Sequence, residues 1–552
     1  MGGKHPAPAQ PFLCCLTWIA AALLAMLALP TAAEVARMPA PAPTVATSGP
    51  PQPAAPPPFN RALTETVLRE VLTALRDRYI EPVSLPDLAF RAATGLGSLA
   101  PEISVRRGDG EWRLAADGRA LGSWREPAAA DAQGWAGMLA AMAAAAATAP
   151  GLRGTSEPQM LMALSEPLSA ALDPYTRYVP PAEASAAQGR RRGESGIGVR
   201  AVPAADGAAI VEVLEDSPAD HAGLSEGDRI IAVDGVRLRG LSEPAIAAML
   251  AGDEDTRIVL SVRQGRGAAL RQVAIIRALV VPPSVHWERR GDVAMFRVST
   301  FNRLTDQHLA RALLDAQAGT VPLRGIVLDL RGNRGGLLRQ AVAVVDLFVA
   351  QGEIAATRGR HPDAARTYVA AGADLAARLP LLVLVDGSSA SAAEIVAASL
   401  QARGRAAAVG SSTLGKGLVQ TVIRLPDGGE LVLTWSRVLI PPGVALNGIG
   451  VVPVLCTVPG RETVPARILA LHNGTVPDWL RAWHRAGGAG PGRAELLAAR
   501  EACPPRDGGP EDLEAALALL ADPAALANAL GQPPAASTVR PPRPPRLIAG
   551  AN

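Results

Sequence analysis

Several domains of mixed α/β and all-β type, behind a helical N-terminal region, are expected of this 552-residue chain. Its length alone suggests three or four domains. From Leu63 to Tyr79 apolar residues recur at helical spacing, whereas from Gly196 short strands are punctuated by Gly and Asp turns. From Val293 the pattern changes again, to apolar strands alternating with helices, the mark of an α/β core.

The first residues read as an export signal. Lys4 and His5 precede an apolar run from Phe12 to Leu29, and Pro30-Thr31-Ala32-Ala33 suits cleavage after Ala33, so residues 1–33 would be removed and the rest released to the periplasm. The run is also near the lower length limit for a spanning helix, so an uncleaved inner-membrane anchor is the alternative. Residues 34–59 are rich in Pro and Ala and read as a linker.

Region 60–194 is helical over Leu63–Tyr79, Trp135–Ala147 and Pro158–Leu172. A small β insertion from Ile103 to Trp124 interrupts it, with turns at Gly108-Asp109-Gly110 and Asp117-Gly118. Arg190-Arg191-Arg192 is most simply a solvated loop. Region 195–281 has the size of one small domain, with strands at Val211–Leu214, Arg229–Val233, Arg257–Arg263 and Gln272–Arg277. Short helices are expected at Ser217–Leu224 and Pro244–Ala251.

Region 282–460 is the α/β core. Its strands are Gly325–Leu330, Leu381–Val385 and Ala406–Val409, with helices over Leu337–Phe348 and from Ser391 to Arg403. Asp427-Gly428-Gly429 splits a hairpin of Leu418–Leu425 and Glu430–Trp435. Residues 461–532 read as mostly helical, and the Pro/Arg tail 533–552 as disordered. Cys456 and Cys503 would be the only cysteines left after export, either bridged or as two free thiols.

With 49% hydrophobic residues and only 3% aromatics, the core must be built from small aliphatic side chains, which a chain this long can bury. A net charge of +3 is too balanced to suggest a nucleic-acid partner. No His/Cys/Asp cluster has metal-ligand spacing, so neither a metal nor an organic cofactor is expected.

Lysine usage is the most informative detail. Of 54 basic residues only Lys4 and Lys416 are lysines, and Lys416 stands in Leu414-Gly415-Lys416-Gly417. Arginine stays protonated, whereas a buried lysine can lose its proton and serve as a base. An Arg-biased composition is the plain alternative. The stretch from Asp386 to Glu394 joins an apolar strand to a helix and carries Ser388, Ser389 and Ser391. Free amides at a helix N-terminus can cap or hold an oxyanion, and capping accounts for one serine. A serine nucleophile needs a base. The seven histidines, His5, His221, His286, His308, His361, His472 and His484, include none in a Gly-rich turn. A distant Ser-His-Asp set stays open, and a Ser-Lys dyad is the alternative. The ends of the second and third strands should be neighbours, which brings Lys416 towards the serines. The turn Asp329 to Gly336 lacks dinucleotide-binding spacing but could supply a second amide donor.

Together these stretches resemble the C-terminal-processing peptidases, exported Ser-Lys proteases with a PDZ domain. The resemblance runs in the family's order from about Leu63 to Pro453. It rests on Leu172-Asp173-Pro174-Tyr175-Thr176-Arg177-Tyr178, Gly196-Ile197-Gly198-Val199, Ser217 to Leu224 with Gly227-Asp228, Asp329 to Gly336, Ser389 to Ile395, and Thr413 to Gln420. It implies a ClpP/crotonase-like protease core and a PDZ domain at 195–281. Ser391 would be the nucleophile, Lys416 the base and Gln420 the residue that orients the amine, with backbone amides of Ala392 and Gly335 as the oxyanion hole. Gly196, Ile197, Gly198 and Val199 would seat a peptide carboxylate. Ser388 and Ser389 would be structural and Glu394 supporting. Substrates would be proteins or peptides engaged through their C-terminal tails, with an adaptor or activating partner and a homo-oligomer left open. Arg334 stands where the family usually has Pro. The β insertion and the stretch after Cys456 are not assigned by the family. A non-catalytic tail-binding scaffold and a His-dependent serine hydrolase are the alternatives.

Overall fold

The computed structural model describes residues 59–532, apart from 266–268, 377–378, 461 and 486. The expected export signal, nearly all of the linker and the Pro/Arg tail lie outside the described residues. Among the described residues no helix is long and apolar enough to cross a membrane.

The first helix, Arg61–Arg78, starts where Asn60 accepts a hydrogen bond from the Leu63 amide at 3.1 Å. Val67, Leu68, Val71, Leu72 and Leu75 form one buried stripe, which packs on the Ala132–Ala146 helix. The β insertion forms as expected, as three antiparallel strands, Ile103–Arg107, Glu111–Ala116 and Arg119–Arg125. Its fully buried Trp112 meets Phe90 edge-on at 5.4 Å and Trp135 at 5.3 Å, so the insertion completes the helical core. Two helices were not anticipated, Leu85–Thr94 and Pro181–Arg192. The second corrects the loop expected at Arg190 to Arg192. Arg191 lies on that helix and pairs with the buried Glu430 at 2.8 Å.

The small domain has its own core around Ile210, Ile230, Ile246 and Leu260. Its strands run in the order Leu270–Ile276, Arg257–Arg263, Arg229–Val233, Gly207–Val213, Val199–Ala204. Glu194–Gly196 and Ala278–Val280 pair antiparallel, so the chain enters and leaves the domain through one two-stranded neck.

The core sheet runs Val285–Arg290, Val293–Val298, Gly325–Asp329, Leu381–Val385, Ala407–Gly410, Leu455–Cys456. It is parallel after the first, antiparallel pair. Every residue of its three central strands is buried, which is why they read as unbroken apolar runs. A second sheet runs Arg366–Ala370, Gly352–Arg358, Glu430–Ile440, Leu418–Arg424. Its hairpin strand reaches Ile440, past the expected end at Trp435. Leu431 and Leu433 enter the helical core while Val438 and Ile440 enter the main one, so this strand joins the two. The strands Gly352–Arg358 and Arg366–Ala370 and the helix Thr305–Gln317 were not anticipated.

Among the described residues after Cys456, five helices from Val464–His472 to Pro523–Ala529 pack Leu480, Leu519 and Ala525 into the main core. Cys456 and Cys503 form a disulfide, which decides between the two thiol readings. Truncating the fully buried Leu384 to Ala should lower unfolding stability by about 2–5 kcal/mol. The same truncation at the exposed Val369 should stay within about 0.5 kcal/mol. Denaturant midpoints check both.

Candidate active site

The strands Leu381–Val385 and Ala407–Gly410 lie side by side with Val385 opposite Gly410. Both turns carrying chemistry therefore leave the same edge, at the carboxyl ends of a parallel sheet, where ligand sites gather. In the first turn Asp386 accepts from the Ser388 and Ser389 amides at 3.0 and 2.8 Å. Ser389 Oγ donates to Leu330 O at 2.8 Å, and Ser388 Oγ to Asp507 at 3.3 Å. Both hydroxyls are thus engaged in holding this turn.

Ser391 is different. Its φ of 56° and ψ of −114° are costly for a residue with a side chain. The turn is held on both sides, because Ala390 N donates to Asn333 O at 2.9 Å and Ser391 N to Glu394 Oε2 at 2.7 Å. The helix Ala392–Ala402 begins next, and the Ala392 amide has no acceptor among the described residues.

Glu394 is fully buried. Its Oε2 also accepts from the Lys416 amide at 2.9 Å, and its Oε1 from Gly415 N at 2.6 Å and Thr413 Oγ1 at 2.5 Å. All four partners donate, which is what an ionised carboxylate can accept and a protonated one cannot fully use. Burial pushes the carboxyl above its ordinary range, and the four donors push back. One carboxylate thus fastens the Ser391 turn to the Lys416 turn.

The Lys416 ammonium lies 4.5 Å from the centre of the Tyr175 ring. Burial holds its pKa below the ordinary lysine value, and nearby Arg177 lowers it further, against the opposing charges of Glu394 and Asp173. Gln420 Nε2 donates to Thr434 Oγ1 at 3.2 Å, and Thr434 Oγ1 donates to Asp173 Oδ1 at 3.0 Å. The two turns are therefore brought together, but Ser391, Lys416 and Gln420 are not hydrogen-bonded to one another through their side chains. No histidine bonds to Ser391 among the described residues.

Gly335 lies against Ser391. A Cβ there would come 2.8 Å from Ser391 Cβ and 3.0 Å from the Ala392 nitrogen, so only glycine fits. Its amide differs from expectation: it donates to Asn333 Oδ1 at 2.8 Å and is engaged within its own turn. The neighbouring Gly336 amide has no acceptor among the described residues, because the Phe301 bridge uses Gly335 O and Leu337 N instead.

In the small domain Ile197 O accepts from Ala219 N and Gly198 O from Leu214 N, at 2.8 and 2.9 Å. The Ile197 and Gly198 amides have no acceptor among the described residues. Gly198 has φ 81°, and a Cβ on it would meet Ser217 Cβ at 2.2 Å. Gly196 and Val199 sit in the flanking strands.

Sequence reasoning named no role for Tyr175, Asp173 or Arg177, although their stretch stood out. Arg500 gave no signal among so many arginines. It reaches over the lysine turn, donating to Thr413 O at 2.5 Å, Ile449 O at 2.6 Å and Leu414 O at 3.3 Å.

Residues 292–455 match peptidase family S41, and residues 210–264 match the PDZ domain. The chain is 35% identical to a carboxy-terminal-processing protease of Bartonella bacilliformis, over 51% of this chain and 66% of that one. It is 34% identical to the chloroplastic carboxyl-terminal-processing peptidase 1 of Arabidopsis thaliana, over 54% of this chain and 62% of that one. It is 32% identical to a carboxyl-terminal-processing protease of Picosynechococcus sp., over 53% of this chain and 71% of that one. The chain thus spans less than two thirds of the first two relatives.

Hydrogen bonds from a charged donor contribute about 1.5–3 kcal/mol each. Arg500→Met should therefore speed hydrogen exchange at the Gly415 and Lys416 amides by roughly 10- to 100-fold. Amides of the central strand Leu381–Val385 should keep their protection.

Proposed function

This chain belongs to the carboxyl-terminal-processing peptidases of family S41, and we propose that it is an exported serine endopeptidase that cuts proteins at or near their C-terminal tails. The observation that carries the proposal is the shared Glu394 carboxylate, which joins a strained serine turn to the turn of a lysine with a lowered pKa. Ser391 attacks the scissile carbonyl. Lys416, neutral, takes the hydroxyl proton and later returns it to the leaving amine. For this the Lys416 side chain swings from the Tyr175 ring to Ser391, and the Gln420 carbonyl, left over once its nitrogen is on Thr434, accepts from the amine. Ala392 N–H stabilises the oxyanion. The second donor is the Gly336 amide, or Gly335 once it is released from Asn333. An acyl-enzyme forms and water hydrolyses it.

The PDZ domain takes the substrate tail as an added strand, its carboxylate on the open amides of Ile197 and Gly198. The parallel sheet with both reactive turns at one edge supports a ClpP/crotonase-like core. The sequence of residues 1–33 supports export to the periplasm. The Glu394 carboxylate that ties the Lys416 turn to the Ser391 turn favours the dyad over a His-dependent hydrolase. The open Ala392 amide beside a strained serine favours catalysis over a tail-binding scaffold.

Lys416→Arg and Ser391→Ala should each lower kcat/KM on an unfolded protein with an apolar C-terminus by roughly 10⁴-fold or more. Retention of most activity by Lys416→Arg would sink the dyad. In the parent, activity should rise with pH as Lys416 loses its proton, with a midpoint below the ordinary lysine value of 10.5. Arg177→Gln removes a charge that lowers this pKa, so the midpoint should move up and the rate at neutral pH should fall. A midpoint unmoved by that change would count against Lys416 as the titrating base.

A further inference from the structure

A cavity of about 410 Å³ opens beside Gln420 and Leu337 and lies over the six-stranded sheet that contains Leu418–Arg424 and Glu430–Ile440. Four arginines line it, Arg191, Arg339, Arg366 and Arg424, against two acids, Asp363 and Glu430. Glu430 is taken up by Arg191 at 2.8 and 3.0 Å. Arg366 bonds the Asp363 backbone carbonyl at 3.2 Å, and Arg339 and Arg424 have no acidic partner among the described residues. The wall thus carries an excess of unneutralised guanidinium groups. Its floor is also unsatisfied: Trp435 Nε1 and Ser436 Oγ are buried without a hydrogen-bond partner, and Ser436 is 1% exposed. A buried donor left unpaired costs about 1–3 kcal/mol, so a ligand carbonyl or carboxylate there would be favoured.

A second cavity, of about 650 Å³, shares Gln188, Arg424 and Glu430 with the first and extends to Ser195, Ala247 and Gly252 of the PDZ domain. The two adjoin at these shared residues, forming one passage from the PDZ domain to Gln420, on the strand that follows the lysine turn. The strand Leu418–Arg424 lies along it and, among the described residues, pairs only with Glu430–Ile440, so one of its edges is open for an added peptide strand.

We propose that this passage selects polypeptides that carry acidic side chains just ahead of their C-terminal tail, with Arg339 and Arg424 as specificity-determining residues. Guanidinium groups pair bidentately with carboxylates, and here they flank a peptide held in extended form. The inference rests on the tail-processing reading for what enters the passage, and adds which tails are preferred.

The experiment uses the full chain and two peptides with one apolar tail and one cleavable segment, differing in four Glu against four Gln between them. Binding to the Ser391→Ala variant is read by fluorescence anisotropy at low and high salt, and kcat/KM is measured on the parent. The Glu peptide should bind roughly 10-fold more tightly at low salt, from several partly exposed pairs of up to about 1 kcal/mol each. Its advantage should shrink at high salt. Arg339→Gln with Arg424→Gln should bring the ratio to about one, while Lys at both positions should keep most of it. Equal binding of the two peptides, or a preference that survives the double Gln substitution, overturns the inference. If Ser391→Ala prefers the Glu peptide while the parent cuts neither, the selectivity stands and the tail-processing reading falls. If the parent cuts both equally and binding is equal, the reading stands and the selectivity falls.

Discussion

The buried carboxylate of Glu394 is the constraint on which the site depends. Parallel strands bring two turns to one sheet edge, but neighbouring strands alone leave those turns free to move by ångströms. Four donors converging on one pair of oxygens remove that freedom. They fix the Ser391 amide, the Thr413 hydroxyl and the Gly415 and Lys416 amides in one frame. The cost of burying a charge is offset because every acceptor site is filled by a preorganised dipole. The same geometry holds the unfavourable backbone of Ser391, since its amide has no better acceptor in the fold. A neutral isostere would keep the shape and lose the convergence, because an amide nitrogen would face donors.

The helices after Cys456 extend that frame outward. Arg500 covers three carbonyls of the lysine turn and its neighbour, and Cys503 is bonded to Cys456 at the end of the sheet. On the other side Arg331 bridges Asp329 and the buried Asp512, at 2.8 and 3.3 Å, beside the glycine turn. Gly508 N and Gly332 N share the Asp386 carboxylate below the serines. Each reactive turn is thus braced from behind by a segment distant in sequence. That segment belongs to the frame of the site in physical terms, although its own sequence reads only as generic amphipathic helix.

Much of this was legible in the chain. Strands such as Leu381–Val385 and Arg229–Val233 were found at their true limits, because unbroken apolar runs and Asp-Gly turns are strong local signals. Lys416 stood out through residue type and neighbouring glycines, whereas Ser391 was singled out from three serines through the family resemblance. What stayed hidden depends on distance in sequence. The helix Pro181–Arg192 ends in an arginine run whose local chemistry reads as loop, and it is held by a partner, Glu430, that no window includes. The strand Gly352–Arg358 buries only the short stretch Ile354 to Thr357, between the exposed Glu353 and Arg358, and Arg366–Ala370 has no fully buried residue, so neither reads as a long apolar run. The Gly335 amide was assigned from the family resemblance, and the Asn333 side chain that occupies it is a matter of rotamer, which sequence does not encode.

The strand Glu430–Ile440 explains why the N-terminal helices are part of the machine. Its first half is buried among them and its last half in the main core, so neither core can shift without moving it. Thr434 stands between the halves. Its hydroxyl receives Gln420 and gives to Asp173, its amide donates to Thr176 at 3.1 Å, and its carbonyl accepts from Ile80 at 3.1 Å. Asp173 gathers the Tyr175 and Thr176 amides at 2.8 and 3.0 Å, which aims the Tyr175 ring at Lys416. A lysine of lowered pKa needs surroundings that exclude water without supplying a close anion, and an aromatic face meets that need. The helical region therefore acts on Lys416 through one strand and one short turn, and its packing sets how dry the amine is.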